Sequence, residues 1–169
     1  GESDWAELRE AQTMTADALP NVGVACITDL GAAKDIHPKN KQDVGKRLAL
    51  WALARTYDKT ELVYSGPMFK AMSVDGKKIR ITFDHIGDGL RSRDRKPLTW
   101  FEVAGKDGNW VHAEAEVGQL NESITVWSEV VDQPVSVRFA WHQTAEPNLE
   151  NSEGLPAAPF RASMPADRD

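Results

Sequence analysis

The amino-acid sequence predicts two unequal pieces of different fold class, an α/β piece followed by an antiparallel β-sandwich. Residues 22–27 form a continuous apolar run, which is typical of a strand covered on both faces. Helical patterns flank this run, and a helix, strand, loop and helix in this order are the closing unit of an α/β layered fold. After a break at residues 65–67, short alternating segments separated by turn residues indicate a β-sandwich. We therefore predict the α/β piece at residues 2–60 and the β-sandwich domain at residues 61–169.

The first helix is predicted over residues 4–19. Asp4 and Glu7 have the spacing of a capping box, in which Asp4 accepts hydrogen bonds from amides of the first turn. Pro20 ends the helix, because proline disfavours helical geometry at the residue before it. The apolar run at residues 22–27 then predicts a buried strand.

The second helix is predicted over residues 40–57, with Asn40 and Asp43 offering a cap at its start. Residues 48–54 are apolar around almost the whole circumference, which predicts heavy burial. One strand and two helices are too few for a complete α/β domain. Residues 2–60 are therefore predicted to be the C-terminal portion of a larger core.

Short strands with turn residues between them fill the remainder of the sequence. The clearest strands are residues 78–83, 99–104, 123–127 and 135–141. Turns are predicted at Asp75-Gly76, Gly87-Asp88-Gly89 and Asp107-Gly108, because these residue types tolerate a positive φ angle. The segment after Glu146 is rich in proline, asparagine and glycine, and we expect it to run as an extended tail over a surface.

The composition argues against several classes of function. Hydrophobic residues make up 41% and charged residues 27% of the chain, as in an ordinary globular protein. A net charge of −6 without a basic cluster argues against a nucleic-acid partner. The longest apolar run is too short for a membrane span, and a single cysteine, Cys26, forms no intramolecular disulfide. Neither a metal-ligand spacing nor a phosphate-binding glycine loop occurs, so we predict no metal site and no cofactor.

The candidate site is the pair Asp35 and His37, which stands between the predicted strand and the second helix. A serine hydrolase needs a neutral histidine that takes the proton from the nucleophile hydroxyl and returns it to the leaving alcohol. A carboxylate on the other ring nitrogen fixes the tautomer, and this role suits Asp35. His37 suits the role of the base, because the positive end of a helix dipole favours a neutral ring. The alternative is that this Asp-x-His loop only caps the helix.

The sequence offers no evident nucleophile. It contains no Gly-x-Ser-x-Gly motif, and Ser65 stands in the predicted connection between the two pieces. His85 and His112 lie near predicted turns, where exposed surface roles are expected. His142 follows a predicted strand and is expected to be a strand-end residue or a ligand contact.

The residues around His37 resemble a known family. Asp29-Leu30-Gly31 and the block from Asp35 to Leu48 look like the C-terminal catalytic block of sialate O-acetylesterases. These enzymes are carbohydrate acetylesterases of the SGNH hydrolase superfamily. Residues 8–12 are similar to the helix before the family's last core strand, and residues 148–160 are similar to its terminal segment. The resemblance therefore extends over nearly the whole chain.

The resemblance implies a flavodoxin-like α/β/α SGNH core followed by, or interwoven with, the β-sandwich. It implies hydrolysis of acetyl esters on sialic acid or related glycans by a Ser-His-Asp mechanism, with His37 as base and Asp35 as its orienting carboxylate. The nucleophile would lie in a Gly-Gln-Ser-Asn-like block outside this chain, so the chain alone is expected to be inactive. Many superfamily members place the aspartate three residues before the histidine, which is the position of Lys34 here. A residue outside this chain is therefore the other candidate for the orienting role.

The same resemblance implies the partners and the location of the protein. The partners would be an acetylated carbohydrate substrate and the remainder of the esterase core. The location would be the periplasm or the outside of the cell.

A second hypothesis makes residues 61–169 a non-catalytic accessory module that binds carbohydrate or only supports the core. Sugar rings stack on flat aromatic faces, and the candidates for such stacking are Trp100, Trp110, Trp127 and Trp141. The alternative for these tryptophans is that they fill the interior of the sandwich.

Overall fold

The computed structural model describes residues 3–31, 35, 37 and 39–165. Two helices come first, α1 (Asp4–Ala18) and α2 (Lys41–Arg55). Nine strands follow within the described residues: β1 (Met68–Asp75), β2 (Lys78–Asp84), β3 (Leu90–Ser92), β4 (Phe101–Ala104), β5 (Val111–Val117), β6 (Ser123–Trp127), β7 (Ser136–Phe139), β8 (Leu149–Asn151) and β9 (Phe160–Ser163). None of the described helices is long and apolar enough to cross a membrane.

Helix α1 ends where the sequence predicts but is capped one residue earlier. Ser3, rather than Asp4, is the N-cap, and its hydroxyl accepts a hydrogen bond from the backbone N–H of Ala6 at 3.3 Å. At the other end Leu19 is extended, with φ −118° and ψ 135°. This conformation is the one that Pro20 imposes on the residue before it.

Helix α2 begins as predicted but is much less buried than predicted. Asn40 is the N-cap, and its Oδ1 accepts from the backbone N–H of Asp43 at 3.0 Å. The prediction of heavy burial is wrong, because Leu48 is 53% and Leu53 is 39% exposed. No described element covers this side of the helix, so an apolar sequence alone does not bury it.

The predicted strand at residues 22–27 has no regular secondary structure. A strand requires a neighbour for its backbone hydrogen bonds, and the described residues supply none at this place. The segment packs instead on α2. A Cβ added at Gly23 would overlap the Trp51 ring, so the indole lies directly against the glycine backbone.

The β region is one antiparallel sheet of seven strands, in the order β1-β2-β6-β5-β4-β7-β9, with β3 and β8 forming a separate two-stranded sheet. The two edge strands of the large sheet come back together, because Phe69 of β1 stacks on Phe160 of β9 with ring centroids 4.8 Å apart. The predicted antiparallel β architecture is confirmed. The sheet is nearly closed on itself, since strand twist accumulates around it.

The hydrophobic core lies inside this curved sheet. In β2 the residues alternate, with Ile79 and Ile81 fully buried between exposed Lys78 and Arg80. Opposite them the rings of β4 and β7 pack against each other. The largest fully buried apolar side chains are Phe101, Phe139, Ile79, Ile81, Ile124, Leu149, Val103, Val126 and Val137. Strand alternation of this kind is what places one face of a sheet in a core.

The three predicted turns are present, whereas the predicted surface tail is wrong. Gly76, Gly87 and Gly108 all have positive φ angles, as the turn predictions require. The segment after Glu146 is extended in part but is buried, with β8 and β9 built from it. Its proline and asparagine residues make turns and hydrogen bonds inside the fold rather than a surface path.

Helix α1 is attached to the β region rather than standing apart from it. Ala6 is fully buried, and Glu10 forms two hydrogen bonds with Arg161 of β9, of 3.1 and 2.9 Å. Arg9 donates from Nη2 to the backbone carbonyl of His142. These contacts set α1 beside residues 22–28 and leave a cavity between them.

Candidate active site

The loop that carries the predicted site runs from residues 28–30 to the N-terminus of α2. Its first part is a turn closed by a hydrogen bond from Leu30 N–H to the carbonyl of Ile27, at 3.0 Å. Asp35, His37 and the segment from Lys39 onward are described, whereas Lys34, the alternative position for the aspartate, lies outside the described residues, as do positions 36 and 38. His37 thus stands three positions before the N-cap Asn40, as expected for a base near a helix N-terminus.

The structure brings the two predicted site residues into contact. Asp35 Oδ1 accepts a hydrogen bond from the backbone N–H of His37 at 2.9 Å, and the same oxygen lies 3.3 Å from Nδ1 of the ring. The first contact is a side-chain turn within the loop and does not cap α2, whose N-cap is Asn40. The second contact is the one an orienting carboxylate makes. The arrangement leaves Nε2 of His37 without a recorded partner in the described residues, on a side chain that is 80% exposed.

A buried ion pair holds the two ends of this loop, and the sequence analysis did not single it out. Arg47 of α2 donates from Nη1 and Nη2 to the two carboxylate oxygens of Asp29, at 2.6 and 2.7 Å. Arg47 Nη1 also donates to the carbonyl of Cys26 at 2.7 Å. Both residues belong to the blocks that carry the family resemblance, which was the available signal.

The charge of this pair is maintained in spite of its burial. Burial by itself lowers the pKa of Arg47, but the hydrogen bonds and the negative charge of Asp29 outweigh it, and the pKa is raised above its ordinary value. The guanidinium therefore stays charged at any physiological pH. Fork-to-fork pairing of this kind is the most directional ion pair available to side chains.

A cavity of about 600 Å³ opens beside the loop, between α1, residues 24–28 and residues 143–146. This volume lies in the range of small-molecule sites. Asp35 lines it, together with Arg9, Gln12 and the exposed faces of Trp5 and Leu8. Arg9 and Gln12 belong to the segment of residues 8–12 that carries part of the family resemblance.

Arg9 is the most unusual cation of the cavity wall. Its Nε is shielded from solvent and has no hydrogen-bond partner among the described residues. Burial lowers the pKa of Arg9 from its ordinary value. Nη2 of Arg9 donates to the carbonyl of His142, and the side chain forms part of the cavity wall.

Cys26 lines the same cavity, in surroundings that favour the neutral thiol. Burial raises the pKa of its thiol above the ordinary value, which disfavours the thiolate. Its Sγ lies 3.5 Å from Oγ1 of Thr28 and 3.4 Å from the carbonyl of Ala157. Ser65, the serine of the predicted connection, is buried and donates its hydroxyl to the Gly66 carbonyl at 2.9 Å.

The other histidines lie away from this loop. His112 is exposed, as expected, but the exposed role expected for His85 is wrong, because its ring packs edge-on against Tyr64 with centroids 5.0 Å apart. His142 accepts hydrogen bonds at Nδ1 from Thr144. No group of three or more histidine, cysteine or acidic residues in the described part of the chain is arranged to hold a metal ion.

Of the four tryptophans considered for sugar stacking, one is buried and three are partly exposed. Trp141 is buried, with 3% exposure. Cations cover the other rings in part: Lys78 Nζ lies 4.4 Å from the centroid of Trp127, and the Arg138 guanidinium lies 4.5 Å from that of Trp110. Trp100 packs against the ring of His142 at 5.5 Å. No observation therefore favours the module hypothesis over the esterase hypothesis.

Comparison with known proteins supports the resemblance seen in the loop. No family model matches the chain. It is 25% identical over 95% of its length to the sialate O-acetylesterases of Rattus norvegicus and Mus musculus, of which it covers 31%. A crystal structure of a carbohydrate acetylesterase from Xanthomonas citri is 43% identical, with a TM-score of 0.89 over 96% of this chain and 37% of that one.

The chain spans about a third of the length of these relatives. Its similarity in both sequence and fold covers nearly all described residues, including both helices and the curved sheet. The resemblance to carbohydrate acetylesterases is therefore confirmed, and the chain corresponds to one part of such a protein.

Proposed function

We propose that the chain is the C-terminal portion of a carbohydrate O-acetylesterase that hydrolyses acetyl esters on sialic acid or related glycans. The observation that carries this proposal is the similarity of nearly the whole chain to acetylesterases, at 43% identity to one of them. In this proposal residues 2–60 complete an SGNH α/β/α core, and residues 61–169 form the β domain beside it. The protein would act in the periplasm or outside the cell, where acetylated glycans are met.

The contact between Asp35 and His37 supports a defined division of roles. Asp35 lies at Nδ1 of the ring, so it holds the proton there and leaves Nε2 free to act as the base. Nε2 takes the proton of a serine hydroxyl, whose oxygen attacks the acetyl carbon. The resulting imidazolium gives that proton to the sugar oxygen as the ester bond breaks. Water then repeats the sequence on the acetyl-enzyme and releases acetate.

The nucleophilic serine in this proposal lies outside the 169 residues. The His37 side chain is 80% exposed, against 45% for Asp35. This exposure is consistent with a ring that meets groups supplied by another part of the protein. The exposed apolar side chains of α1 and α2 are consistent with the same arrangement. They include Trp5, Leu8, Met14, Leu48 and Leu53.

The experiment is the replacement His37→Ala in the full-length protein that contains this chain, with hydrolysis of an aryl acetate and of O-acetylated sialic acid as the assay. Loss of a general acid-base group is expected to lower kcat by about 10²–10⁴-fold. The matched control is His112→Ala, which removes an exposed histidine from the β region. Asp35→Asn is expected to lower kcat as well, but by less, because His37 keeps its place near the helix.

Wild-type turnover by His37→Ala would refute the proposed role of the loop. Turnover of an aryl acetate by residues 1–169 alone would refute the position of the nucleophile outside the chain. Activity of the full-length protein on acetylated neutral glycans with none on O-acetylated sialic acid would keep the esterase proposal and exclude the sialate substrate.

A further inference from the structure

We propose that Asp29 and Arg47 are a positioning pair for His37, an inference that rests on the proposed function. The pair closes the loop that carries His37. Asp29 lies at the beginning of that loop, in the turn after Ile27, and Arg47 lies in the second turn of the helix that follows it. The bond between them fixes the distance between the two ends of the loop.

The two side chains form a buried ion pair with two parallel hydrogen bonds, which we call the clamp. Both carboxylate oxygens of Asp29 accept from the fork of Arg47, at 2.6 and 2.7 Å. The side chains are only 11% and 10% exposed, so solvent competes little for these hydrogen bonds. A third hydrogen bond from Arg47 reaches the Cys26 carbonyl at 2.7 Å, which joins the segment before the loop to the same guanidinium.

His37 makes few contacts within the described residues, so the position of its loop determines where the ring lies. Its side chain is 80% exposed, and its recorded contacts in the described residues are both with Asp35, two positions earlier. Among the described residues the ring is therefore positioned by Asp35, a member of the same loop. A misplacement of about 1 Å at a catalytic group costs about 10²-fold in rate, so a device that fixes the backbone has a catalytic effect.

The β region contributes a second cation to the clamp. Nη1 of Arg93 lies 3.9 Å from Oδ2 of Asp29, and the Arg93 backbone N–H donates to the carbonyl of Asn148 at 2.8 Å. The carboxylate is thus held from the helix side and from the β side at once. Asp29 therefore connects the loop of His37 both to α2 and to the β region.

The test uses the full-length protein with Asp29→Asn and Arg47→Lys as single replacements. Asn keeps the shape of the side chain but loses its charge, and Lys keeps the charge but loses the fork. The matched control is Asp132→Asn, which breaks an ion pair with Lys77 that is 75% and 68% exposed. Both kcat and KM for an aryl acetate are measured and normalised to the native fraction from near-UV circular dichroism.

Removal of one partner from a buried pair can prevent folding, so a double variant is included. Asp29→Asn with Arg47→Gln removes both charges together and leaves no uncompensated buried ion. We expect each folded variant to lose about 10²-fold in kcat with KM close to the wild-type value, and Asp132→Asn to lose nothing. The double variant is expected to lose no more than the worse single variant, because the two residues act as one unit.

Two results would overturn the positioning role. One is a native double variant with wild-type kcat. The other is losses in the single variants that disappear after normalisation to the native fraction, which would make the pair a purely structural contact. These results are distinct from failure of the proposed function, which is reported by wild-type activity of His37→Ala.

Discussion

The hydrogen bonds of the Asn151 side chain allow an estimate of how much its replacement lowers the free energy of unfolding. Asn151 is fully buried, and its Nδ2 donates to the carbonyls of Ser65 and His85 at 3.0 and 2.9 Å. Its Oδ1 accepts from the backbone N–H groups of Glu153 and Leu155 at 3.1 and 3.0 Å. One amide therefore connects the segment before β1, the turn after β2 and the turn after β8.

Asn151→Ala removes all four hydrogen bonds and fills none of the space. The bonds to Ser65 and Leu155 are the buried ones, so two backbone groups lose their partners where water does not reach them. Each such group costs about 1–3 kcal/mol, which gives about 2–6 kcal/mol of unfolding free energy for the pair. In a domain of this size each kcal/mol lowers Tm by about 2–4 °C.

The free energy of unfolding is measured by urea denaturation with tryptophan fluorescence as the readout, and Tm is measured in parallel. Asn109→Ala is the matched control, because Asn109 is exposed and bonds only to nearby Asp107. The control is expected to change the free energy by no more than about 0.5 kcal/mol. A change below about 1 kcal/mol for Asn151→Ala would show that water reaches the orphaned groups, and the reasoning from burial would be wrong.

Further expectations concern the junction between α2 and the β region. Gly23→Ala is expected to lower the free energy of unfolding by about 1–3 kcal/mol, because the new Cβ would clash with the Trp51 ring. Gly45→Ala in α2 is expected to raise it by up to about 1 kcal/mol, because its Cβ meets no atom and alanine favours a helix more than glycine does. Burial lowers the pKa of His85, so the unfolded chain binds its proton more tightly, and the unfolding free energy is expected to fall as pH drops below about 6.5. His85→Gln should reduce this pH dependence and His112→Gln should not, as measured by urea unfolding between pH 5 and 8.

Equal effects of the two glycine replacements would mean that residues 22–27 do not pack on α2 in solution. Unchanged pH dependence in His85→Gln would mean that the ring is solvated in the folded state. Either result would revise the contacts at this junction without affecting the curved sheet.

The sequence by itself determined the elements whose causes are local. Asn40 caps α2 because its side chain meets the N–H of Asp43 within one turn, and Pro20 ends α1 through its own neighbour. The turns at Gly76, Gly87 and Gly108 follow from residues that accept a positive φ angle. The contact between Asp35 and His37 could also be predicted from the sequence, because two residues this close in a loop can meet independently of the remainder of the fold.

Only the tertiary structure decided which apolar surfaces are covered. Residues 22–27 and 48–54 have sequences that favour burial, but they cover each other only in part, and Leu48 and Leu53 stay exposed among the described residues. The return of β9 onto β1 through Phe69 and Phe160 depends on contacts across most of the β region. No local sequence pattern predicts that the two edge strands meet, because the hydrophobic effect favours apolar contact without specifying which surfaces pair.

The same reason explains why the sequence did not predict the ion pair of Asp29 and Arg47, whereas it did suggest a contact between Asp35 and His37. A histidine beside an aspartate is a pattern with chemical meaning at short range, whereas Asp29 and Arg47 are 18 positions apart and are oppositely charged like many surface residues. Their burial, and the arrival of Arg93 from the β region, exist only in the folded chain. The sequence by itself determined the short-range pairing of Asp35 with His37, and the tertiary structure decided which distant residues meet beside it.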